Sequence, residues 1–325
     1  MPPTPDLKTW FRTAHLEALD LVQGALANGA DPNARDRRGQ TPLIVAARGN
    51  TSAVVRALLD AGADPNAADR RGVRALAHAT YRHDLDSARA LVAAGANPNA
   101  RDDRGRTPAL IAADLAHTDL LALYAERPIE HSARDERGND ALMLLAAQDQ
   151  PDALRDLLER GANVHARNGF GATALLLASV WGHLENVKLL LAAGSDPNVA
   201  DEAGDTPLAH ACGTSRDRHV LVRLLLDAGA NPNARTRNAP SLLLRASGRG
   251  HTESAIALID AGADVNAVDE TGSSAVVLAA RNDDATLIRR LRQAGADLAR
   301  ADANGHTAFD ILWGKANAPV LDYGH

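Results

Sequence analysis

The chain has 325 residues and a formal net charge of −6, from 35 basic and 41 acidic side chains. This balance argues against non-specific nucleic-acid binding as the main activity, while leaving room for local basic patches. Only nine residues are aromatic and 67 are alanine, which excludes a large core built around aromatic rings. Typical domain sizes would divide this length into two or three domains unless the chain repeats itself.

Cysteine content and apolar runs bear on the cellular setting. Cys212 is the single cysteine, so no internal disulfide can form, and no cysteine cluster could hold zinc or iron. The first residues lack a basic and then apolar signal segment, and apolar runs such as 141–147 are far shorter than the roughly 18 residues of a membrane span. We expect a soluble, cytoplasmic protein with no membrane partner, no cofactor and no metal.

Glycines recur in two parallel series with a period of 33 residues. The first series slips once by two residues, so that Ala239 takes a glycine position. Its members are Gly39, Gly72, Gly105, Gly138, Gly171, Gly204, Gly272 and Gly305. The second series is Gly29, Gly62, Gly95, Gly161, Gly194, Gly229, Gly262 and Gly295. Two such series indicate a repeat protein rather than separate globular domains.

Each period predicts two helices and a loop. In residues 36–68, Thr41 can cap a helix start and Pro42 suits the first helical position. The break at Gly49 and Asn50 fits a left-handed cap, and the apolar spacing over 54–59 predicts a second helix. Gly62 predicts another left-handed cap, after which the chain enters a turned loop that we call the finger.

The repeated text carries a family resemblance. Residues 39–67 read GQTPLIVAARGNTSAVVRALLDAGADPNA, and residues 204–213 read GDTPLAHACG. This resembles the ankyrin-repeat family, whose unit of 33 residues contains Thr-Pro-Leu-His-x-Ala. The resemblance covers about residues 6–316 and implies an all-α ankyrin solenoid of stacked helix-turn-helix units with projecting hairpin loops.

The period divides the chain into units of a single ankyrin-repeat domain, residues 1–325. An N-terminal capping unit spans 6–35, eight repeats span 36–301, and a truncated C-terminal cap spans 302–325. The repeats are 36–68, 69–101, 102–134, 135–167, 168–200, 201–235, 236–268 and 269–301. In the last cap, we expect Phe309, Ile311, Leu312 and Trp313 to pack back on the eighth repeat, and a residual exposed patch there stays open.

Two repeats depart from the common pattern. Pro128 stands at the glycine position of the third repeat, although proline cannot adopt the positive φ of that cap. The sixth repeat is two residues longer, and the extra chain lies near 213–219. Simple drift and a partner-specific contact both remain open for each departure.

The sequence offers little that predicts an enzyme. It contains no His-Glu-x-x-His, no phosphate-binding loop with Lys and Ser or Thr, and no Gly-x-Ser-x-Gly. His117, His183 and His251 recur just before second helices, where a capping or loop role is expected. Cys212 takes a small-residue position and predicts a buried, inert thiol.

The resemblance implies that a partner binds on the concave side, at finger residues and at exposed positions late in the first helix of each repeat. At these positions the early repeats carry arginines and Tyr81, and the fifth repeat carries apolar residues. The predicted site is Arg37, Arg38, Arg48, Arg70, Arg71, Tyr81, Arg82, Arg104, Arg106, Phe170, Val180 and Trp181. Arginine and aromatic residues together are typical of binding hot spots.

Two alternatives to this site remain open. The arginines can reflect GC-rich coding, since the chain has 32 arginines and 3 lysines, and Trp181 can fold onto Val180 or a neighbouring helix. The leading hypothesis is a non-enzymatic bacterial protein-interaction module, monomeric, that binds a protein with an acidic surface. The alternative function is the binding of a phosphate-rich ligand, either nucleic acid or a phosphopeptide, at the arginine-rich N-terminal end. The sequence leaves open the partner, the oligomeric state, and whether the protein is a secreted effector or acts in its own cell.

Overall fold

The computed structural model describes residues 10–11, 14, 19–49, 51–126, 130, 132–234, 236 and 240–316. The chain divides into two compact units, Met1–Asn163 and Val164–His325. Across the described residues there are 18 helices and no strands, with two isolated bridges, Ala68 with Arg74 and Val268 with Ser274. The all-α fold predicted from the period is confirmed.

Helices of the first unit follow the predicted pairs. They are α1 (Leu19–Ala27), α2 (Pro42–Gly49), α3 (Ser52–Asp60), α4 (Ala75–Tyr81), α5 (Leu85–Ala93), α6 (Pro108–Asp114), α7 (Thr118–Ala125), α8 (Ala141–Ala146) and α9 (Pro151–Glu159). First helices stack on first helices, α2 on α4, α4 on α6 and α6 on α8, and second helices stack likewise.

The second unit repeats this arrangement. Its helices are α10 (Ala174–Trp181), α11 (Leu184–Ala192), α12 (Pro207–Cys212), α13 (His219–Asp227), α14 (Leu242–Gly248), α15 (Thr252–Asp260), α16 (Ala275–Arg281), α17 (Ala285–Gln293) and α18 (Ala308–Ala316). Here α10, α12, α14, α16 and α18 stack in order. Each predicted repeat therefore contains two helices, while the exact repeat bounds and the single domain stay predictions.

Threonine caps start the first helices as the sequence predicts. The Oγ1 of Thr41 accepts a hydrogen bond from the amide of Ile44 at 3.3 Å, and Thr107 caps Leu110 at 3.1 Å. The core behind these caps is made of thin layers of buried alanine, leucine and valine side chains. Trp10 and Tyr124 are buried aromatic residues, and the hydroxyl of Tyr124 lies 2.6 Å from Thr80 Oγ1. Small side chains let neighbouring helices approach closely, which a core of large aromatic rings would prevent.

Residues in the left-handed conformation, with positive φ, end the helices, but the type of residue varies. Gly62 has φ +84° as predicted, whereas Gly49 ends α2 without a positive φ and Asn50 lies outside the described residues. In other repeats the left-handed break between paired helices falls on the counterpart of Asn50, such as Ala116 at φ +55° and Gly182 at φ +80°. Stacking therefore imposes this conformation even on alanine, which has an intrinsic preference against it.

An asparagine in each regular finger joins it to the next. Asn33 Nδ2 donates to the carbonyl of Gly62 at 3.0 Å, and its Oδ1 accepts from the amide of Asp64 at 2.7 Å. Asn66 repeats both contacts with Gly95 and Asn97. Each amide satisfies two backbone groups left over at a helix end, so it fixes the register between repeats. The sequence analysis assigned no such role to these asparagines.

The two departures from the repeat have different outcomes. Pro128 lies outside the described residues. In the longer sixth repeat, Arg218 donates to the carbonyl of Val180 at 2.8 Å, and Asp217 accepts from the hydroxyl of Ser254. The insertion thus ties together the repeats on either side of it.

The expectation that the C-terminal apolar residues pack back is wrong for the two aromatic ones, and Leu312 is exposed as well. Phe309 is 68% and Trp313 is 62% exposed, and their rings stack on each other with centroids 5.9 Å apart. Both lie on α18, whose contact with α16 covers only one face. Ile311 is half-buried, as a residue on the covered side should be.

Candidate functional site

A cleft of about 360 Å³ in the first unit gathers five of the predicted arginines. It lies at the fingers of the first two repeats and reaches the helices behind them. We call it the arginine cleft. Its lining residues are Arg37, Arg38, Gln40, Arg48, Asp69, Arg70, Arg71, Val73 and His78.

Aspartates at the base of each finger hold the arginines in place. Asp36 Oδ1 accepts from the amides of Arg38 and Gln40, both at 2.8 Å, and Gly39 completes the turn with φ +75°. Asp69 makes the same turn with the amides of Arg71, at 2.8 Å, and Val73. Such turns use the short aspartate side chain in place of a backbone acceptor. These hydrogen bonds fix the backbone of each finger turn, from which the arginine side chains project.

The two fingers are also joined by their backbones. The amide of Arg70 donates to the carbonyl of Arg38 at 3.1 Å. A similar bond joins the next fingers, where the amide of Asp103 donates to the carbonyl of Arg71 at 2.9 Å. The fingers therefore stack in a fixed register, in which Arg38 meets Arg70 and Arg71 meets Asp103, each 32 positions later.

This register decides which arginines find a carboxylate. Arg71 pairs with Asp103 at 3.5 Å, and Arg104 pairs with Glu136 at 3.4 Å. The residue that meets Arg38 in the same way is another arginine, Arg70. Within the described residues, Arg37, Arg38 and Arg70 form no ion pair. The positive charge of the arginine cleft is therefore largely uncompensated.

Polar residues with little exposure form the inner wall of the cleft. Arg48 donates to Oε1 of the buried Gln40 at 3.4 Å. His78 has no hydrogen-bond partner on its buried Nε2. Burial lowers the pKa of His78, the charge of Arg48 lowers it further, and Asp69 opposes both. The imidazole is therefore neutral at pH 7, since its ordinary pKa is already below that value.

Sequence reasoning missed His78 and Asp69 as lining residues. At the repeat position of His78, the neighbouring repeats carry Val45 and Ile111, so the signal was a polar residue replacing an apolar one. Asp69 is the counterpart of Asp36 one period of 33 residues later, so its place at the base of a finger could have been recognised from the sequence. Both signals come from comparing repeats with one another.

The other predicted residues of the first unit lie outside the cleft. The guanidinium carbon of Arg106 lies 5.5 Å from the ring centroid of Tyr81, and Arg106 pairs with Asp102 at 2.9 Å. Burial raises the pKa of Tyr81, although the nearby Arg106 opposes the shift. Arg82 is exposed, and Arg104 is engaged by Glu136. Of the predicted arginines outside the cleft, Arg104 and Arg106 are thus already paired with acids, whereas Arg82 is exposed.

The predicted aromatic residues belong to the second unit. Phe170 is 59% and Trp181 is 61% exposed, while Val180 is half-buried. No ring–ring contact joins Phe170 and Trp181 in the part of the chain that the structure describes. Trp181 therefore offers an open aromatic face at the end of α10. That these residues share one binding surface with the arginines stays a prediction.

The other chemically suggestive residues have structural roles. Cys212 is fully buried, and burial raises the pKa of its thiol to about 12, which leaves no reactive thiolate at neutral pH. His117 stands at the start of α7 as expected, but its Nδ1 bonds the carbonyl of Thr80 at 3.0 Å and its ring stacks on His83. No helix among the described residues is long and apolar enough to cross a membrane.

Comparison with known proteins agrees with the architecture. The family model for ankyrin repeats in three copies matches residues 11–102 and 142–236, which is more than half of the chain. No curated protein matches the chain significantly. Together with the stacked helix pairs and the projecting fingers, the match shows that this chain belongs to the ankyrin-repeat family.

Proposed function

We propose that this chain is a non-enzymatic binding module that captures an acidic protein partner through the arginine cleft. Ankyrin repeats are generally protein–protein interaction modules and typically lack enzymatic activity, so they imply protein partners. The observation that carries the proposal is the convergence of five arginines on one cleft with a single lining carboxylate, Asp69.

Charge complementarity explains why this cleft, rather than another surface, would receive the partner. The chain as a whole carries a net charge of −6, so an acidic partner is repelled by most of it. Uncompensated arginines supply forked donors that match carboxylates and lose little hydration energy on contact. Within the second unit, the exposed rings of Phe170 and Trp181 with the half-buried Val180 are a separate candidate contact surface for a protein partner.

Charge reversal tests the proposal. Fluorescence anisotropy would compare a labelled peptide rich in Asp and Glu with its Asn and Gln counterpart. The quadruple variant Arg37→Glu, Arg38→Glu, Arg70→Glu and Arg71→Glu should lose binding of the acidic peptide while circular dichroism shows unchanged helix content.

A matched control changes the net charge equally. The exposed Arg56, Arg89, Arg289 and Arg292 lie on second helices outside the cleft. Their replacement by glutamate should leave most of the binding intact. Equal loss in both quadruple variants would mean that overall charge alone attracts the peptide, and the cleft would not be the site.

A further inference from the structure

The arginine cleft differs from the neighbouring fingers in its charge balance. At the edge of the cleft Arg71 already faces Asp103, and in the next finger Arg104 faces Glu136. In the cleft the equivalent acidic position is occupied by Arg70. Replacing an acid by a base at this position gathers like charges that repel one another in the empty protein. Local rules are broken in this way mostly where a site serves a ligand.

We infer that the arginine cleft binds the phosphoryl group of a phosphorylated side chain on the partner protein. This inference rests on the proposed function and narrows it to one partner chemistry. The cleft holds about 360 Å³, which suits one side-chain head group and its immediate neighbours. A phosphoryl dianion offers three strong acceptor oxygens and close to two negative charges in that space.

A carboxylate would satisfy the cleft less completely. The pairs at Arg71 and Arg104 show that one carboxylate in this register engages one guanidinium. Asp69 is the single carboxylate in the lining, and its Oδ1 already accepts from the amides of Arg71 and Val73. Several converging arginines are the usual receptor for a phosphorylated side chain.

A nucleic acid fits the surface less well than a phosphopeptide. Strand binding uses a track of basic side chains along the backbone and aromatic rings on which bases stack. Here Arg104 and Arg106, which would continue the track, are paired with Glu136 and Asp102. None of the lining residues is Phe, Tyr or Trp. The positive charge is thus confined to one spot.

Three peptides of identical neutral sequence separate the possibilities, with phosphoserine, glutamate or serine at the centre. Anisotropy at fixed ionic strength should show the phosphoserine peptide binding about tenfold more tightly than the glutamate peptide, the gain expected from one further charge-assisted hydrogen bond. The serine peptide should not bind, and inorganic phosphate should compete.

The variant Arg70→Asp restores the acid found in the neighbouring fingers. It should form an ion pair with Arg38, keep the helix content and thermal midpoint, and abolish phosphopeptide binding. Arg70→Gln removes the charge without adding an acid and should weaken binding by an intermediate factor. If either variant unfolds, the other and the phosphate competition still decide the question.

The outcomes separate the inference from the proposed function. Equal affinity for the glutamate and phosphoserine peptides would overturn the phosphoryl inference and leave the acidic-partner proposal standing. If the glutamate and phosphoserine peptides do not bind, and the Asp- and Glu-rich peptide does not bind either, both the phosphoryl inference and the acidic-partner proposal are overturned. Tighter binding of a single-stranded oligonucleotide, with a steep salt dependence, would assign the cleft to nucleic acid instead.

Discussion

Two neighbouring pairs of fingers in the first unit share a backbone contact and differ in charge. In one pair, Arg70 bonds the carbonyl of Arg38; in the other, Asp103 bonds the carbonyl of Arg71. The second pair closes with an ion pair of 3.5 Å, whereas the first leaves both guanidinium groups to the cleft. The comparison teaches that an arginine whose carbonyl joins it to the next finger is available for binding when the residue that donates to this carbonyl is not an acid.

Breaking the backbone contact should have the largest effect on stability. Gly72 has φ +72°, and a Cβ there would lie 3.3 Å from Asp102 Cα, on the finger that carries Asp103. Gly72→Ala should lower the free energy of unfolding by about 2 kcal/mol, from the unfavourable φ and the tight backbone approach. Urea unfolding measures this change.

Gly305 supplies the control for that substitution. It also has a positive φ, +82°, but no atom lies within 4 Å of an added Cβ. Gly305→Ala should therefore cost only the conformational part, about 1 kcal/mol. Equal losses at both positions would show that the close approach between fingers contributes nothing.

A substitution that converts the paired fingers into a second cleft should have an intermediate effect on stability. Asp103→Arg removes the ion pair with Arg71 and places arginine where the first pair has Arg70. Both partners are about half exposed, so the loss in unfolding free energy should be at most about 1 kcal/mol and should shrink at high salt. Titration calorimetry with the phosphoserine peptide should then reveal a second site.

The neutral variant Asp103→Asn isolates the added charge. It removes the same ion pair but supplies no guanidinium, so it should lose stability without gaining a site. A second site in Asp103→Asn, or none in Asp103→Arg, would refute the rule that the residue bonded to the carbonyl of Arg71 controls whether this arginine can bind a ligand.

The smallest expected effect is on the pH dependence of stability, to which His78 in the cleft contributes. Because burial and then Arg48 lower the pKa of His78, the unfolded chain binds the proton more tightly than the folded one. The stabilising contribution of the neutral imidazole is present above its unfolded pKa of about 6.5 and is lost as pH falls through the folded value. The free energy of unfolding should therefore fall between about pH 7 and pH 5.

A variant assigns this pH dependence to one residue. His78→Gln should reduce the fall in urea-unfolding free energy, leaving the part due to His117, whose pKa burial also lowers. Saturating inorganic phosphate should reduce the fall in the unchanged protein, because an anion in the cleft stabilises the protonated imidazole. An unchanged pH profile in His78→Gln would contradict the role given to this histidine.

Much of the fold was predictable because its signals are local. Thr41 and Thr107 cap helices through atoms two or three residues away, and Gly62 turns the chain at its own φ. The burial of Cys212 followed from its small-residue position. The expected burial of Phe309 and Trp313 was wrong, because it depended on what neighbouring chain would cover them.

The sequence by itself determined the period, the helix pairs and the arginine content of the early fingers, since each depends on residues close together along the chain. Only the tertiary structure decided that five arginines share a cleft while Arg104 and Arg106 are paired, and that Arg218 bridges two repeats. Charges interact through space over a few ångströms. Their compensation is therefore fixed by the stacking register between repeats, which no single repeat contains.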